Sequence, residues 1–188
     1  MSMDMKKTIV ALLAGAARLL ANAAVIHFDD LPGDETLPIA AGYAGFDWTN
    51  MGTVRVDAYA GSGFEAGTVS GDNVAYNWYG APATVASSDG SAFAFTGAYF
   101  TSAWVEQEIS FEGWRNGQQL FASGAYTLAT TAPGWIRLDW AGIDTLVIYN
   151  SSPTPWAMDE FTVPEPGALA LVGMSFVGLM AARRRRKA

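Results

Sequence analysis

Gln107-Glu108-Ile109-Ser110-Phe111-Glu112-Gly113-Trp114-Arg115-Asn116-Gly117-Gln118-Gln119-Leu120-Phe121-Ala122 is the stretch whose reading decides the fold class. Asn116-Gly117 is a pair that takes up two successive left-handed conformations at low cost, which is what a type I′ hairpin turn needs. Short aromatic and β-branched runs flank it, so the spacing predicts paired strands over Gln107–Trp114 and Gln118–Ala122. The same grammar continues outward on both sides, with short apolar runs punctuated by Gly, Asn, Asp, Ser and Pro. Strands are expected at Val25–Asp30, Thr53–Tyr59, Asn73–Tyr79, Ala92–Thr96 and Ala98–Val105 before the hairpin. After it they are expected at Ala125–Thr130, Trp135–Trp140, Thr145–Tyr149 and Trp156–Val163. Alternation is clearest where Phe93 and Phe95 oppose Ala92 and Ala94, and where Ile136 and Leu138 oppose Arg137 and Asp139. No helical period outlasts a turn or two, and no internal repeat or low-complexity linker precedes Pro164. The fold expected for residues 24–163 is therefore all-β, an antiparallel β-sandwich of jelly-roll type.

Composition narrows the function classes. The chain has 188 residues, of which 51% are hydrophobic, 13% aromatic and 15% charged, with 20 Gly and no Cys. That length suits one domain plus targeting segments. The absence of Cys excludes disulfides, thiolate metal centres and thiol catalysis. Net charge is −7 overall, but residues 24–163 hold only Arg55, Arg115 and Arg137 against sixteen Asp and Glu, a balance of −13 with no lysine. Neutralisation of a phosphate backbone needs Lys and Arg, so nucleic acid is excluded as a partner.

The basic residues gather instead at the two ends. Lys6 and Lys7 precede an apolar run from Thr8 to Leu20, and Ala21-Asn22-Ala23 offers small residues where a signal peptidase reads. Residues 1–23 are expected to form a secretory signal helix cleaved after Ala23, with Arg18 an irregularity in its apolar run. At the other end Val163-Pro164-Glu165-Pro166 leads into 16 uncharged residues, Gly167 to Ala182, and then Arg183-Arg184-Arg185-Arg186-Lys187. As a helix that segment spans about 24 Å, short of a hydrocarbon core of roughly 30 Å, a gap that snorkelling arginine stems can close. Positive charge after the span fixes its end in the cytoplasm, so the body faces outward from a transient inner-membrane anchor. The prolines keep the connector extended.

The order of triplet, short apolar helix and arginine cluster over residues 164–188 resembles the PEP-CTERM sorting signal. The resemblance implies that Pro164, Glu165, Pro166 and Arg183, Arg184, Arg185 and Arg186 address the chain to an exosortase, a membrane-embedded transpeptidase-like enzyme. It further implies release at the cell surface or into the extracellular matrix of a bacterium that makes exopolysaccharide. An ordinary single-span anchor is the alternative. The body resembles β-rich domains found in front of this signal, through Phe28-Asp29-Asp30-Leu31-Pro32-Gly33, Gly42-Tyr43-Ala44-Gly45-Phe46-Asp47-Trp48 and Ser70-Gly71-Asp72-Asn73-Val74-Ala75-Tyr76-Asn77. Gly142-Ile143-Asp144-Thr145-Leu146 and Ala157-Met158-Asp159-Glu160-Phe161 complete it. Those domains look like the jelly rolls of carbohydrate-binding modules.

Three candidate sites follow. Asp159 shares strand parity with Phe161 and Val163, and Asp30 with Ile26 and Phe28, which places both carboxylates at core-facing strand ends. A buried carboxylate needs a positive partner, and with three arginines available that partner is a hard cation: one structural calcium held by Asp29, Asp30 and Asp159. The resemblance implies the same, since many carbohydrate-binding jelly rolls carry calcium near their terminal strands. Solvated rim carboxylates are the alternative. The second candidate is a sugar-stacking platform at Trp78 and Tyr79 beside Asn77, and at Tyr43 and Trp48 beside Asp47 and Asn50, set against ordinary core packing of seven Trp. The third is hydrolytic. Glu106 and Glu108 fall about 6–7 Å apart on one strand face, with Glu112 nearby, within the range of a glycosidase pair. His27 is the sole imidazole for a Ser-His-Asp site and lies near no nucleophile elbow. The reading that results is a non-catalytic surface or matrix protein. Its body either binds exopolysaccharide or serves as a structural, adhesive coat, with a glycan hydrolase third.

Overall fold

A computed structural model describes residues 23–32 and 36–164. Residues 1–22 of the expected signal segment, Glu165 and Pro166 of the expected sorting motif, the apolar segment that follows and the terminal arginines fall outside the described residues, as does Gly33. Among the described residues no helix is long and apolar enough to cross a membrane. Thirteen strands follow in chain order: β1 (Ala23–Ile26), β2 (Leu37–Pro38), β3 (Phe46–Thr49), β4 (Met51–Arg55), β5 (Asn73–Asn77), β6 (Ala83–Ser87), β7 (Phe93–Ser102), β8 (Gln107–Arg115), β9 (Gln118–Ala122), β10 (Tyr126–Leu128), β11 (Gly134–Ile143), β12 (Thr145–Asn150) and β13 (Trp156–Pro164). One helical turn, α1 (Gly63–Ala66), and 3-10 turns at Tyr43–Gly45, Val56–Tyr59 and Trp78–Gly80 interrupt them.

The strands make a two-sheet sandwich. A seven-stranded sheet runs β11-β7-β13-β5-β4-β2 with β1 beside β13, and a six-stranded sheet runs β10-β8-β12-β6-β3 with β9 beside β8. Neighbours along both paths are antiparallel. The hairpin expected at Asn116-Gly117 is present, both residues at positive φ (50° and 76°), joining β8 to β9. Between the sheets lies one apolar core whose fully buried side chains include Phe28, Phe95, Phe100, Phe111, Trp156 and Phe161. Side chains of this kind contribute about 1.5–3 kcal/mol each on burial.

Departures from the expected strands have local causes. Thr53–Tyr59 is strand only to Arg55, where the chain turns into the 3-10 segment. β6 escapes the sequence pattern because Ala83-Thr84-Val85-Ala86-Ser87 is poor in large apolar residues, yet it is a central strand between β12 and β3. Gly97, expected to separate two strands, lies inside the single strand β7, with no room for a Cβ beside the Ile136 carbonyl and the Trp135 ring. The most consequential departure is in β13. Glu160 sits at φ 53°, and the register against β7 slips between Asp159–Tyr99 and Thr162–Gly97, so one extra residue bulges out. Trp156 and Met158 face the core before the bulge, Phe161 after it. Asp159 therefore points with Ala157 to the outer face, not with Phe161 to the core. Asp30 is likewise not core-facing: Phe28 enters a turn at φ 65° and leaves Asp30 exposed.

Candidate functional site

Two polar assemblies lie on the seven-stranded sheet side of the body. The first is a clasp between the turn after β1 and the loop before β5. Asp29 Oδ1 accepts the amides of Asp72 (2.9 Å) and Asn73 (3.0 Å), while Asn73 Nδ2 donates to the carbonyls of Phe28 and Leu31. Gly71 has φ 49°, and a Cβ there would enter the Asp29 carboxylate. Asp159, fully buried, accepts Val69 N–H and Ser70 N–H on Oδ2 at 2.8 Å each, and Glu160 N–H on Oδ1 at 2.7 Å. Burial pushes the Asp159 carboxyl above its usual range, partly offset by these donors. Tyr43 Oη donates to Asp30 Oδ1 at 2.6 Å, and burial with that carboxylate holds the phenol well above its normal range. A cleft of about 650 Å³ opens here between Val25–His27, Asp29, Asp30, Tyr43 and Ser70.

The arrangement does not fit a calcium ion. Calcium wants six to eight oxygens around one point. Here oxygens of Asp29 and Asp159 are engaged by backbone N–H groups and Asp30 by a phenol. Among the described residues no three carboxylate or imidazole groups converge to hold a metal. The positive partner that burial of Asp159 demands is a set of amide dipoles, which the sequence reading did not weigh.

Ser70 also brings His27 into contact, His27 Nδ1 lying 3.0 Å from its hydroxyl. That hydroxyl faces Asp159 Oδ1 at 3.1 Å and Asp29 Oδ2 at 3.5 Å. The carboxylates thus sit on the serine and not on the far imidazole nitrogen, the reverse of the order in which an orienting acid holds a general base. No spacing in the sequence announces this meeting across 43 residues.

The second assembly is an aromatic ledge. β5 ends at Asn77 and runs into the turn Trp78–Gly80, where Tyr79 has φ 52° and Gly80 φ 60°. Three asparagines pin this turn. Asn77 Nδ2 donates to Ala81 O at 2.8 Å, and its Oδ1 accepts Trp156 N–H at 2.8 Å. Asn50 Nδ2 reaches Ala81 O (3.1 Å) and Pro82 O (3.0 Å), and Asn150 Nδ2 donates to the carbonyls of Gly80 and Ser152. Gly80 is required, because a Cβ would strike the Pro153 backbone. The outcome is that Tyr79 projects into solvent, 86% exposed.

Beneath it Trp78 is half-buried over Gly52, and rings continue through Tyr76 and Phe64 to Trp104, which is 54% exposed, with Tyr59 alongside. Adjacent centroids along this series lie 5.1–6.1 Å apart. Burial is the first cause that pushes the Tyr76 phenol up to about 12, with the nearby Tyr59 and Tyr79 hydroxyls adding to it.

Of the four ring residues expected at a platform, the fold brings Trp78 and Tyr79 to this ledge. Tyr43 lies at the clasp, and Trp48 belongs to the core at 5% exposure, packed against Phe28, Phe46 and Phe161. Trp48 cannot stack on a ligand, because β3 turns it inward with Phe46. Tyr59 and Trp104 were missed; a lone Trp before a Val-Glu pair carries no periodic signal. Glu106 lies in an irregular segment before β8, so it shares no strand face with Glu108. Glu108 and Glu112, four residues apart along β8, stand about 13 Å apart, beyond a glycosidase pair.

Residues 162–186 match the PEP-CTERM protein-sorting motif, so the chain carries that sorting signal at its C-terminus. No curated protein matches the sequence. Among solved structures the chain is similar to the N-terminal CBM22-1–CBM22-2 tandem domain from Paenibacillus barcinonensis Xyn10C, with 10% identity and a TM-score of 0.46 over 78% of this chain and 48% of that one. It thus spans about half the length of that tandem domain. It is also similar to TmCBM61, solved in complex with β-1,4-galactotriose, with 10% identity and a TM-score of 0.33 over 74% of this chain and 99% of that one. At these identities the likeness is one of fold alone.

Proposed function

We propose that the chain is an exported surface protein, sorted by an exosortase, whose jelly-roll body holds a neutral polysaccharide on the Trp78–Tyr79 ledge without catalysing its cleavage. Tyr79 carries this reading. A bulky aromatic in the left-handed region stores roughly 1–2 kcal/mol of backbone strain, and at 86% exposure it recovers little of that by packing. Strain maintained by surrounding structure, here three asparagine amides, is a mark of a functional position. Exposed ring faces match the apolar faces of sugar rings. The polymer is uncharged because the body offers an acidic glycan no open cation. Among the described residues each arginine is ion-paired with an aspartate, Arg55 with Asp57, Arg115 with Asp144 and Arg137 with Asp139.

In this reading signal peptidase removes residues 1–23, the apolar tail holds the body outside the inner membrane, and the exosortase acts near Pro164-Glu165-Pro166. The tilt of 39° between the Trp78 and Tyr79 rings favours the second reading, a structural coat with no sugar site. Electrophoresis of the full chain, in a sugar-free detergent, through gels containing xylan, galactan, dextran or alginate separates the two. Retardation by a neutral polymer that Tyr79→Ala weakens supports the ledge; unretarded migration in every gel supports the coat. Replacing Pro164, Glu165 and Pro166 with alanine should leave export intact and block maturation, and normal processing of that variant would discard the sorting assignment.

A further inference from the structure

The outer face of the six-stranded sheet carries an assembly that neither the clasp nor the ledge uses. On β8, Ile109 and Phe111 enter the core, which turns Ser110, Glu112 and Trp114 outward. Tyr149 of β12 stands opposite Ser110 and is 38% exposed. Glu112 Oε2 accepts both Trp114 Nε1 (3.1 Å) and Tyr149 Oη (3.0 Å). Two donors on one oxygen fix the carboxylate plane, and no described donor is bonded to Oε1. The nearest arginine in sequence, Arg115, is turned away to Gly90 O and Asp144. From Glu112 the strand register runs on through Val147 and Thr84 to Thr49, a lane of short side chains across four strands. At the usual strand spacing that lane is about 14 Å long.

An oriented, uncompensated carboxylate between two half-exposed aromatic rings is an acceptor for hydroxyl groups beside a stacking surface. A cationic partner would find the same carboxylate, but the smooth lane of Val and Thr beyond it offers nothing further to a charge. We propose that this face is a second binding surface for uncharged polysaccharide, so that the protein, with one site on each sheet, cross-links polymer chains. The cross-linking rests on the ledge reading, whereas the second face stands independently of it.

The test uses the full chain in sugar-free detergent with xylan, galactan and dextran as probes, scored by gel retardation and by turbidity of protein–polymer mixtures. Glu112→Gln keeps the side chain's shape, and Trp114→Ala serves as a second variant whose folding is checked by its melting temperature. The expected result is that the parent clouds a neutral polymer, while Glu112→Gln and Tyr79→Ala each abolish clouding and each retain part of the retardation. Combining them should remove retardation altogether, by tenfold or more at each step. Unchanged retardation and clouding in both Glu112→Gln and Trp114→Ala overturns the second face and leaves the ledge standing. Loss in those variants with none in Tyr79→Ala supports the second face and overturns both the ledge and the cross-linking. Migration unaffected by every polymer overturns all of it.

Discussion

The clasp and the ledge are built from the same kind of bond turned in opposite directions. At the clasp, Asp29 and Asp159 aim their carboxylates onto amides of the Val69–Asn73 loop, so the groups with the richest ligand chemistry are consumed in closing the fold. At the ledge, Asn50, Asn77 and Asn150 also spend their side chains on backbone, but the turn they hold delivers a ring to solvent. Acidic residues crowding strand ends thus mark where the chain ties itself together. In the proposed function, binding falls to what the ties leave exposed.

That contrast can be broken at several points. The largest effect is expected from Gly71→Ala, which forces a Cβ into the Asp29 carboxylate at a positive φ; it should cost about 3 kcal/mol, measured by urea unfolding, and leave polymer binding per folded molecule unchanged. Asp159→Ala strands the amides of Val69, Ser70 and Glu160 and should cost about 2 kcal/mol, with no calcium-dependent rise in melting temperature in either the parent or the variant. A calcium shift in the parent that this variant erases would restore the cation site.

Asp159 also sets a pH signature. Its folded-state pKa is raised, so its stabilising contribution is complete below the unfolded value of about 3.9 and is lost as pH rises through the folded value. Asp144, lowered chiefly by the Asn116 amide, and Asp89, lowered to about 2 chiefly by hydrogen bonds from Ser91, act oppositely: their contributions are present above the unfolded value and lost on acidification. The stability of the parent relative to Asp159→Asn should therefore fall between pH 3 and pH 7. A flat difference would show that the amides fully compensate the buried charge.

The smallest stability effect belongs to the ledge. Tyr79→Gly releases the left-handed strain and should raise stability by about 0.5–1 kcal/mol while weakening binding to neutral polymer. A destabilised variant would mean that the ring packs usefully after all.

Much of the sandwich was legible because its signals are local. Asn116-Gly117 needs only its own backbone preference to make a hairpin, and Phe93 to Phe95 or Ile136 to Leu138 need only alternation. What could not be read depends on events between strands. One bulging residue, Glu160, reverses the face of Asp159, and nothing in Met158-Asp159-Glu160-Phe161 reveals on which side of the pair the extra residue falls. The convergence of Asn50, Asn77 and Asn150 depends on the sheet crossings, and so does the exposure of Trp104. Trp78 and Tyr79 were expected to close a strand over Asn73–Tyr79, but β5 stops at Asn77 and the pair turns out of it, because Tyr79 and Gly80 take up left-handed backbone that no strand pattern announces. Trp48, equally aromatic and also near an Asn, was lost to the core by strand parity with Phe46.

The route by which the chain leaves the body has a mechanical meaning. β13 ends at Pro164, inside the matched sorting motif, and is an interior strand paired with β7, β5 and β1. A pull applied at Pro164 along the axis of β13 would load the hydrogen bonds of its ladders together. An edge strand would peel away one bond at a time. In the anchored state proposed above, drag on the body would meet the sheet in shear, the direction in which a β-sandwich yields last.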